Sequence, residues 1–151
     1  MGTGSGIQAV TAAEKVEVTE VTAVDINPNA LEAAKRMANK NGVSYKIRFK
    51  ESNLFNSIED KYDWIIFNAP YLPTEDNIID VALDGGANGN EVVSCFLEDA
   101  KQHLIKNGQI LLVYSSLSNL QGDYGYTWEI LGKVDLFFEV IYCALLKVNP
   151  V

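Results

Sequence analysis

Arginine is almost missing from this chain. Only Arg36 and Arg48 are arginines among 12 basic residues, which face 20 acidic ones, and the formal charge is −8. Nucleic-acid binding draws much of its affinity from cations that neutralise phosphates. An acidic chain repels a phosphate backbone unless its few lysines cluster on one face, so DNA and RNA are disfavoured as substrates. A basic partner protein is not. Histidine occurs once, as His103, and cysteine twice, as Cys95 and Cys143. That leaves no zinc constellation, and no bound metal is expected. Both cysteines stand in apolar stretches, "VVSCFL" and "VIYCALL", and are read as buried, reduced thiols. No apolar run reaches membrane-spanning length. The opening "MGTGSGIQAV" has neither the basic start nor the apolar stretch of a signal peptide. A cytoplasmic location away from membranes is the expectation.

What is present is enough apolar material for one folded domain. The 151 residues are 48% hydrophobic, which suits a single globular domain over 1–151 with its own core. Strand and helix patterns alternate. "EVTAVDI" (20–26) is a β-branched run. "NPNALEAAKRMANKNG" (27–42) reads as a helix with Asn27 as cap, Pro28 in the first turn and Gly42 at the end. "YKIRFKES" (45–52) alternates like a strand. "YDWIIFN" (62–68) is almost wholly apolar, as in a strand covered on both faces. "NEVVSCFLEDAKQHLIKNG" (90–108) has helical spacing with Gly108 as its stop, and "QILLVYSS" (109–116) reads as another buried strand. The stretch 117–132 is expected to form a short helix loosened by Gly122 and Gly125. The tail "KVDLFFEVIYCALLKV" (133–148) is long enough for an antiparallel pair. This order implies an α/β fold with a mainly parallel sheet. A Gly-rich loop of the kind that opens the chain normally follows a strand, so the first strand is expected to be missing or truncated.

Three stretches carry chemistry. In "GTGSG", Gly2, Thr3, Gly4 and Gly6 allow a tight turn and close approach of a ligand, just ahead of a helix N-terminus that favours an anionic group. Asp25 ends the next strand, 19 residues after Gly6. An acid at about that distance, roughly 20 residues past the loop, is placed to accept hydrogen bonds from ribose hydroxyls. It is equally suited to cap a helix, although Asn27 is available for that. Together they suggest an adenosine-type cofactor without separating NAD from S-adenosylmethionine. The third stretch is "FNAPYLP" (67–73). Asn68 offers an amide that both accepts and donates, Pro70 and Pro73 stiffen the loop, and Tyr71 supplies a flat face. Such a site can accept the hydrogens of an –NH₂ group and aim the nitrogen lone pair at an electrophile. No serine or cysteine is set up as a nucleophile.

Taken together, "GTGSG", "VDINPNAL", "SNLF", "FNAPYLP" and "ALDGGANGNEVV" resemble the HemK-related class I S-adenosylmethionine-dependent methyltransferases. The ending "SSLSN…FFEVIYCALLKV" looks most like their short archaeal and eukaryotic branch. The resemblance implies a Rossmann-like three-layer sandwich with an antiparallel C-terminal strand. It implies S-adenosyl-L-methionine as cofactor, and as substrate the glutamine side chain in the Gly-Gly-Gln motif of a peptide-chain release factor. A small zinc-binding activator protein is the partner it implies. Gly2, Thr3, Gly4 and Gly6 match the cofactor loop, Asp25 and Ile26 the ribose-binding strand end, and Asn53 and Leu54 the adenine-flanking pair, with Asn53 where an acid is usual. Asn68, Ala69, Pro70 and Tyr71 match the Asn-Pro-Pro-Tyr catalytic motif, with Ala69 replacing its first proline. "LDGGANGNEVV" (83–93) is expected to form a substrate-facing lip. The alternatives are an N6-adenine methyltransferase, disfavoured by charge, and a non-catalytic methyltransferase-like binding module. An NAD-dependent oxidoreductase lacks a hydride-site acid.

Overall fold

A computed structural model describes residues 1–71, 85–87 and 89–150. Two compact units are present, Met1–Ile58 and Glu59–Val151.

In the first unit, helix α1 (Ile7–Ala13) is followed by strand β1 (Val21–Asp25), helix α2 (Pro28–Lys40) and strand β2 (Ile47–Glu51). The start of α2 is dictated locally. The Asn27 side chain accepts the Asn29 amide at 2.9 Å, and Pro28 takes the first helical position, where its lacking N–H costs nothing. Leu31, Ala34 and Ala38 recur on one face and are buried. Gly42 closes the helix with φ 70°. β1 and β2 then pair in parallel from Val21↔Ile47 to Asp25↔Glu51. The core between these elements is made of small side chains: Ala9, Val10, Ala13, Ala23, Ala38, Val43 and Ile47. Small residues let the helices approach closely. A Cβ on Gly6 would lie 2.7 Å from Ala34 Cα, so this position admits only glycine.

The second unit holds β3 (Tyr62–Asn68), helix α3 (Glu91–Ala100), β4 (Leu104–Ser115), β5 (Tyr126–Asp135) and β6 (Val140–Val148). The sheet order is β3-β4-β6-β5. β3 and β4 are parallel, and β6 is antiparallel to both β4 and β5. Three strands therefore run one way and the C-terminal strand runs the other, as expected. One sheet face is buried: Ile65 and Phe67 of β3, Ile110 and Leu112 of β4, Ala144 and Leu146 of β6. Helix α3 buries Val93, Phe96, Leu97 and Ala100. The Phe67 and Phe96 rings lie 4.6 Å apart. Tyr126 is fully buried and donates its hydroxyl to the Leu97 carbonyl at 3.0 Å, which binds β5 to α3. Burial pushes the Tyr126 phenol pKa well above its ordinary value.

Three expectations are corrected. The helix expected over 90–108 ends at Ala100, and Leu104 already belongs to β4. Helical apolar spacing runs on past Ala100, but Leu104–Gly108 is drawn into the sheet as a bulge. Tyr62 pairs with Leu104 and Trp64 already pairs with Gln109. Gly108 is no helix stop; a Cβ there would meet the Tyr62 carbonyl oxygen at 2.9 Å. The helix expected over 117–132 is replaced by a short 3₁₀ turn, Ser116–Ser118, and by β5 from Tyr126. Tyr126↔Val148 through Asp135↔Val140 pair with β6, a long-range ladder that outweighs local preference. The thiols are not both buried. Cys95 is exposed and Cys143 half-buried. Cys95 falls off the Val93, Phe96, Leu97, Ala100 stripe and so points away from the core.

Tyr126→Phe deletes the hydroxyl that donates to the Leu97 carbonyl while keeping the ring. It is expected to lower stability by about 1 kcal/mol, read as a drop in the urea midpoint at unchanged slope.

Candidate functional site

The first unit gathers most of the residues expected to hold a cofactor at one end of its two strands. Asp25 closes β1, and both of its carboxylate oxygens are engaged. Oδ2 accepts the Gly4 amide at 2.8 Å, and Oδ1 accepts the Asn27 amide at 2.9 Å. Asp25 thus ties the Gly loop to the start of α2, while Asn27 does the capping. The loop is further fixed by Thr3 N–H to Val24 O at 2.8 Å and Gly6 N–H to Thr3 O at 2.8 Å. Gly2, Gly4 and Gly6 all have positive φ, at 58°, 52° and 87°. The amides of Thr3, Gly4 and Gly6 are therefore turned to the protein. What the loop offers a ligand is the open glycine face. Among the described residues nothing lies within 4 Å of the place a Gly4 Cβ would occupy, and the buried Thr3 hydroxyl beside it has no hydrogen-bond partner. A polar group on a ligand would satisfy it.

Asn53 and Leu54 follow β2 at the same end. Ser52, which the sequence reading passed over, positions them. Its amide donates to the Asp25 carbonyl at 3.0 Å, its hydroxyl donates to the Leu54 carbonyl at 2.8 Å, and it accepts the Ser57 amide at 3.0 Å. Ser52 is buried, and a serine ending a strand just before a turn was the available signal. The bonds hold Leu54 at φ 47°, a region leucine rarely enters, and leave Asn53 exposed. Ile26, next to Asp25, is 46% exposed. Gly4, Asp25, Ile26, Asn53 and Leu54 are thus brought to the carboxyl ends of parallel strands, where ligands of open α/β sheets bind.

The second unit carries the "NAPY" stretch at the carboxyl end of β3. Asn68 pairs with Val113 of β4 and is the last residue of its strand. Its side chain is exposed, and among the described residues neither its amide nor the Ala69 carbonyl has a hydrogen-bond partner. The Ala69 side chain is buried, and its N–H donates to the Val113 carbonyl at 3.1 Å. A proline at this position could not make that bond. Rigidity expected from a proline is here supplied by one further rung of the sheet. Pro70 and Tyr71 are half-buried. Gly85 packs on this turn, since a Cβ there would lie 2.9 Å from the Pro70 carbonyl oxygen. Leu72, Pro73, Leu83, Asp84 and Asn88 lie outside the described residues. Helix α3 starts after Asn90, whose amide donates to Glu91 Oε2 at 3.2 Å. His103 has an ordinary structural contact, Nδ1 at 3.2 Å from the Asp60 carbonyl. Among the described residues no three acidic, histidine or cysteine side chains group as a metal site, and no helix is long and apolar enough to cross a membrane.

Strand-end sites of this kind on an α/β frame with one reversed C-terminal strand define a Rossmann-like methyltransferase fold. Residues 1–122 match the methyltransferase small domain family. A candidate protein N5-glutamine methyltransferase of Methanocaldococcus jannaschii is 35% identical over 150 residues, covering 92% of this chain and 75% of that protein. A release factor glutamine methyltransferase of Rhodopirellula baltica is 34% identical over 129 residues, covering 78% of this chain and 44% of its own length. The chain thus spans three quarters of the archaeal relative and under half of the bacterial one. Among solved structures, a methyltransferase from Pyrococcus furiosus aligns with TM-score 0.67 at 23% identity, over 97% of this chain and 72% of that one. The E. cuniculi Mtq2–Trm112 complex, described as responsible for methylating the eRF1 translation termination factor, aligns with TM-score 0.56 at 19% identity, over 97% and 96%. The chain belongs to the methyltransferase small domain family, in its HemK-related, protein-glutamine methyltransferase group.

Two substitutions test this local architecture. Asp25→Ala frees the Gly4 and Asn27 amides together and is expected to cost about 1–3 kcal/mol in urea unfolding. Ala69→Pro removes the donor to Val113 and is expected to cost about 1 kcal/mol by the same measure.

Proposed function

We propose that residues 1–151 work as an S-adenosylmethionine-dependent N-methyltransferase whose acceptor is the glutamine side chain of a polypeptide, specifically a peptide-chain release factor. The observation that carries this reading is a pair of acceptors at the end of β3, Asn68 Oδ1 and the Ala69 carbonyl, which have no partner among the described residues. A primary amide presents two N–H hydrogens to two such acceptors. The bacterial relative named a release factor glutamine methyltransferase supports the choice of substrate.

Gly2, Thr3, Gly4, Gly6, Asp25, Ile26, Asn53 and Leu54 are the residues assigned to the cofactor. The Thr3 hydroxyl, without a partner among the described residues, and the open face of Gly4 fit a polar ligand there. Asp25 already accepts two backbone amides, and each carboxylate oxygen has a second lone pair for a ribose hydroxyl. When bound, the cofactor supplies an electrophilic methyl group on a sulfonium. The protein's work is placement. Asn68 and Ala69 accept the substrate N–H groups, fix the plane of the amide and disperse positive charge as it develops on nitrogen. The nitrogen would gain the methyl group as the methyl–sulfur bond breaks, and its surplus proton would pass to solvent water. Positioning of this kind contributes on the order of 7–11 kcal/mol in well-aligned cases. Tyr71 offers its ring face to the planar amide. A small zinc-binding activator protein is the proposed partner, a reading supported by the two-protein neighbour complex.

Calorimetric titration of S-adenosylmethionine, with NAD as control, tests the cofactor. Mass spectrometry of a release factor incubated with the protein tests the acceptor, with its Gly-Gly-Gln glutamine changed to alanine as control. Saturable binding of the first ligand alone and a single added methyl group on that glutamine are expected. Asn68→Ala is expected to lower kcat by about 10²–10³-fold with cofactor affinity nearly unchanged. Equal loss of both, or methylation of an adenine instead, would overturn the reading.

A further inference from the structure

The turn between β5 and β6 exposes a run of large apolar side chains. Leu136 is 50%, Phe138 73% and Phe137 fully exposed, side by side in the turn, and Val134, Leu131 and Ile130 of β5 are exposed as well. Single exposed apolar residues are ordinary; three adjacent ones in one turn mark an interaction surface. The turn is also fixed in place. Buried Ser115, at the end of β4, donates to Glu139 Oε2, the Val140 amide donates to Ser116 Oγ at 3.0 Å, and the Leu136 amide donates to the Glu139 carbonyl at 2.8 Å. These bonds hold the two phenylalanines on the outer side of a rigid turn.

Strand register places that turn at the same sheet end as Asn68. One row crosses the sheet through Asn68, Val113, Cys143 and Gly132. The last pair before the turn, Asp135↔Val140, lies three residues beyond that row in the direction in which β3 exits. Neighbouring strands are ~4.8 Å apart, so the turn stands roughly 10–14 Å to the side of β3 and roughly 10 Å further along the strands. The resulting separation of roughly 15 Å is spanned by about four or five extended residues.

We propose that Phe137 and Phe138 form a docking site for an apolar side chain of the methyl-acceptor polypeptide, four or five residues from the modified glutamine. This rests on Asn68 holding the acceptor amide. An extended polypeptide is the occupant that the geometry suits, because it joins a point contact at Asn68 to an apolar contact one peptide span away. The charge of −8 suits a basic acceptor segment, which it draws in by long-range attraction. The surface therefore selects among glutamines by the sequence around them, a discrimination that two acceptors gripping an amide cannot supply.

The test uses glutamine-centred peptides of lysine, glycine and serine with a single leucine moved stepwise away from the glutamine. Binding is read by fluorescence polarisation with S-adenosylhomocysteine present, and transfer by mass spectrometry. Binding is expected to be tightest with the leucine four or five residues away, by about tenfold over the most distant placements. Phe137→Ser with Phe138→Ser should flatten that profile with cofactor affinity and circular dichroism unchanged. Asn68→Ala should lower transfer by about 10²–10³-fold and blunt the dependence on leucine position, while leucine-containing peptides still bind more tightly than a leucine-free one. A flat profile in the unmodified protein overturns the docking site even if the peptides are methylated. A peaked profile without any methylation upholds the docking site and overturns the assigned reaction. A profile that survives the double substitution, or a dimer that the double substitution converts to monomer, assigns the surface to something other than the acceptor and overturns the proposal.

Discussion

A buried backbone amide has to find an acceptor, and at the carboxyl end of a parallel strand the ladder can no longer provide one. Most of the candidate site is organised by how that shortage is met. Where β1 and β2 stop, Asp25 takes the amides of Gly4 and Asn27, and Ser52 ties the following turn to Leu54 and Ser57. Where β4 stops, the hydroxyls of Ser115 and Ser116 take over and hold the β5–β6 turn. Where β3 stops, the ladder is extended by one rung through Ala69, and among the described residues the Asn68 amide and the Ala69 carbonyl have no partner. Under the proposed function, what sets the end of β3 apart from the other strand ends is that its acceptors are left for a substrate.

The alanine at position 69 is instructive in these terms. A proline would fix φ but could not donate, so its rigidity would come from the ring alone. The alanine donates to Val113 and is buried, which aims its carbonyl from a residue anchored on the backbone side. The carbonyl is what an acceptor amide would use, and it is present with either residue. Leu54 shows the opposite strategy. A leucine at φ 47° carries local strain, and the serine bonds around it are what keep it there.

Legibility in the sequence followed the range of the interactions. Residues 20–52 were readable almost to the residue because their signals are local: an Asn-Pro start for α2, a glycine end, and two β-branched or alternating runs. The boundary between α3 and β4 was not, since Leu104 and Ile105 continue the helical spacing and only pairing with β3 turns them into a bulged strand. β5 was hidden for the same reason. Gly122 and Gly125 read as breakers, while the partner that makes a strand of 126–135 comes later in the chain. At the site, residue types were legible and their partners were not. Asp25 was visible as an acid at the right distance, but its grip on Gly4 depends on a left-handed turn that no spacing reveals. Ser52, Ser115 and Glu139 were missed because their roles are hydrogen bonds to segments remote from any motif.

The choice of acceptor cannot come from the fold, because a Rossmann-like methyltransferase frame serves many substrates. It cannot come wholly from Asn68 and Ala69 either. An exocyclic adenine amino group presents the same two hydrogens and the same flat face as a glutamine amide. What separates the two is everything a nucleic acid would bring with its base. A strand of phosphates approaching a protein of charge −8 with two arginines gains little from counterion release and meets repulsion instead. A basic polypeptide meets attraction, and its backbone can follow the sheet end from Asn68 toward exposed phenylalanines that a sugar-phosphate chain would leave wet. Under the proposed function, the same two acceptors become selective for an amide through the charge and apolar surface that surround them.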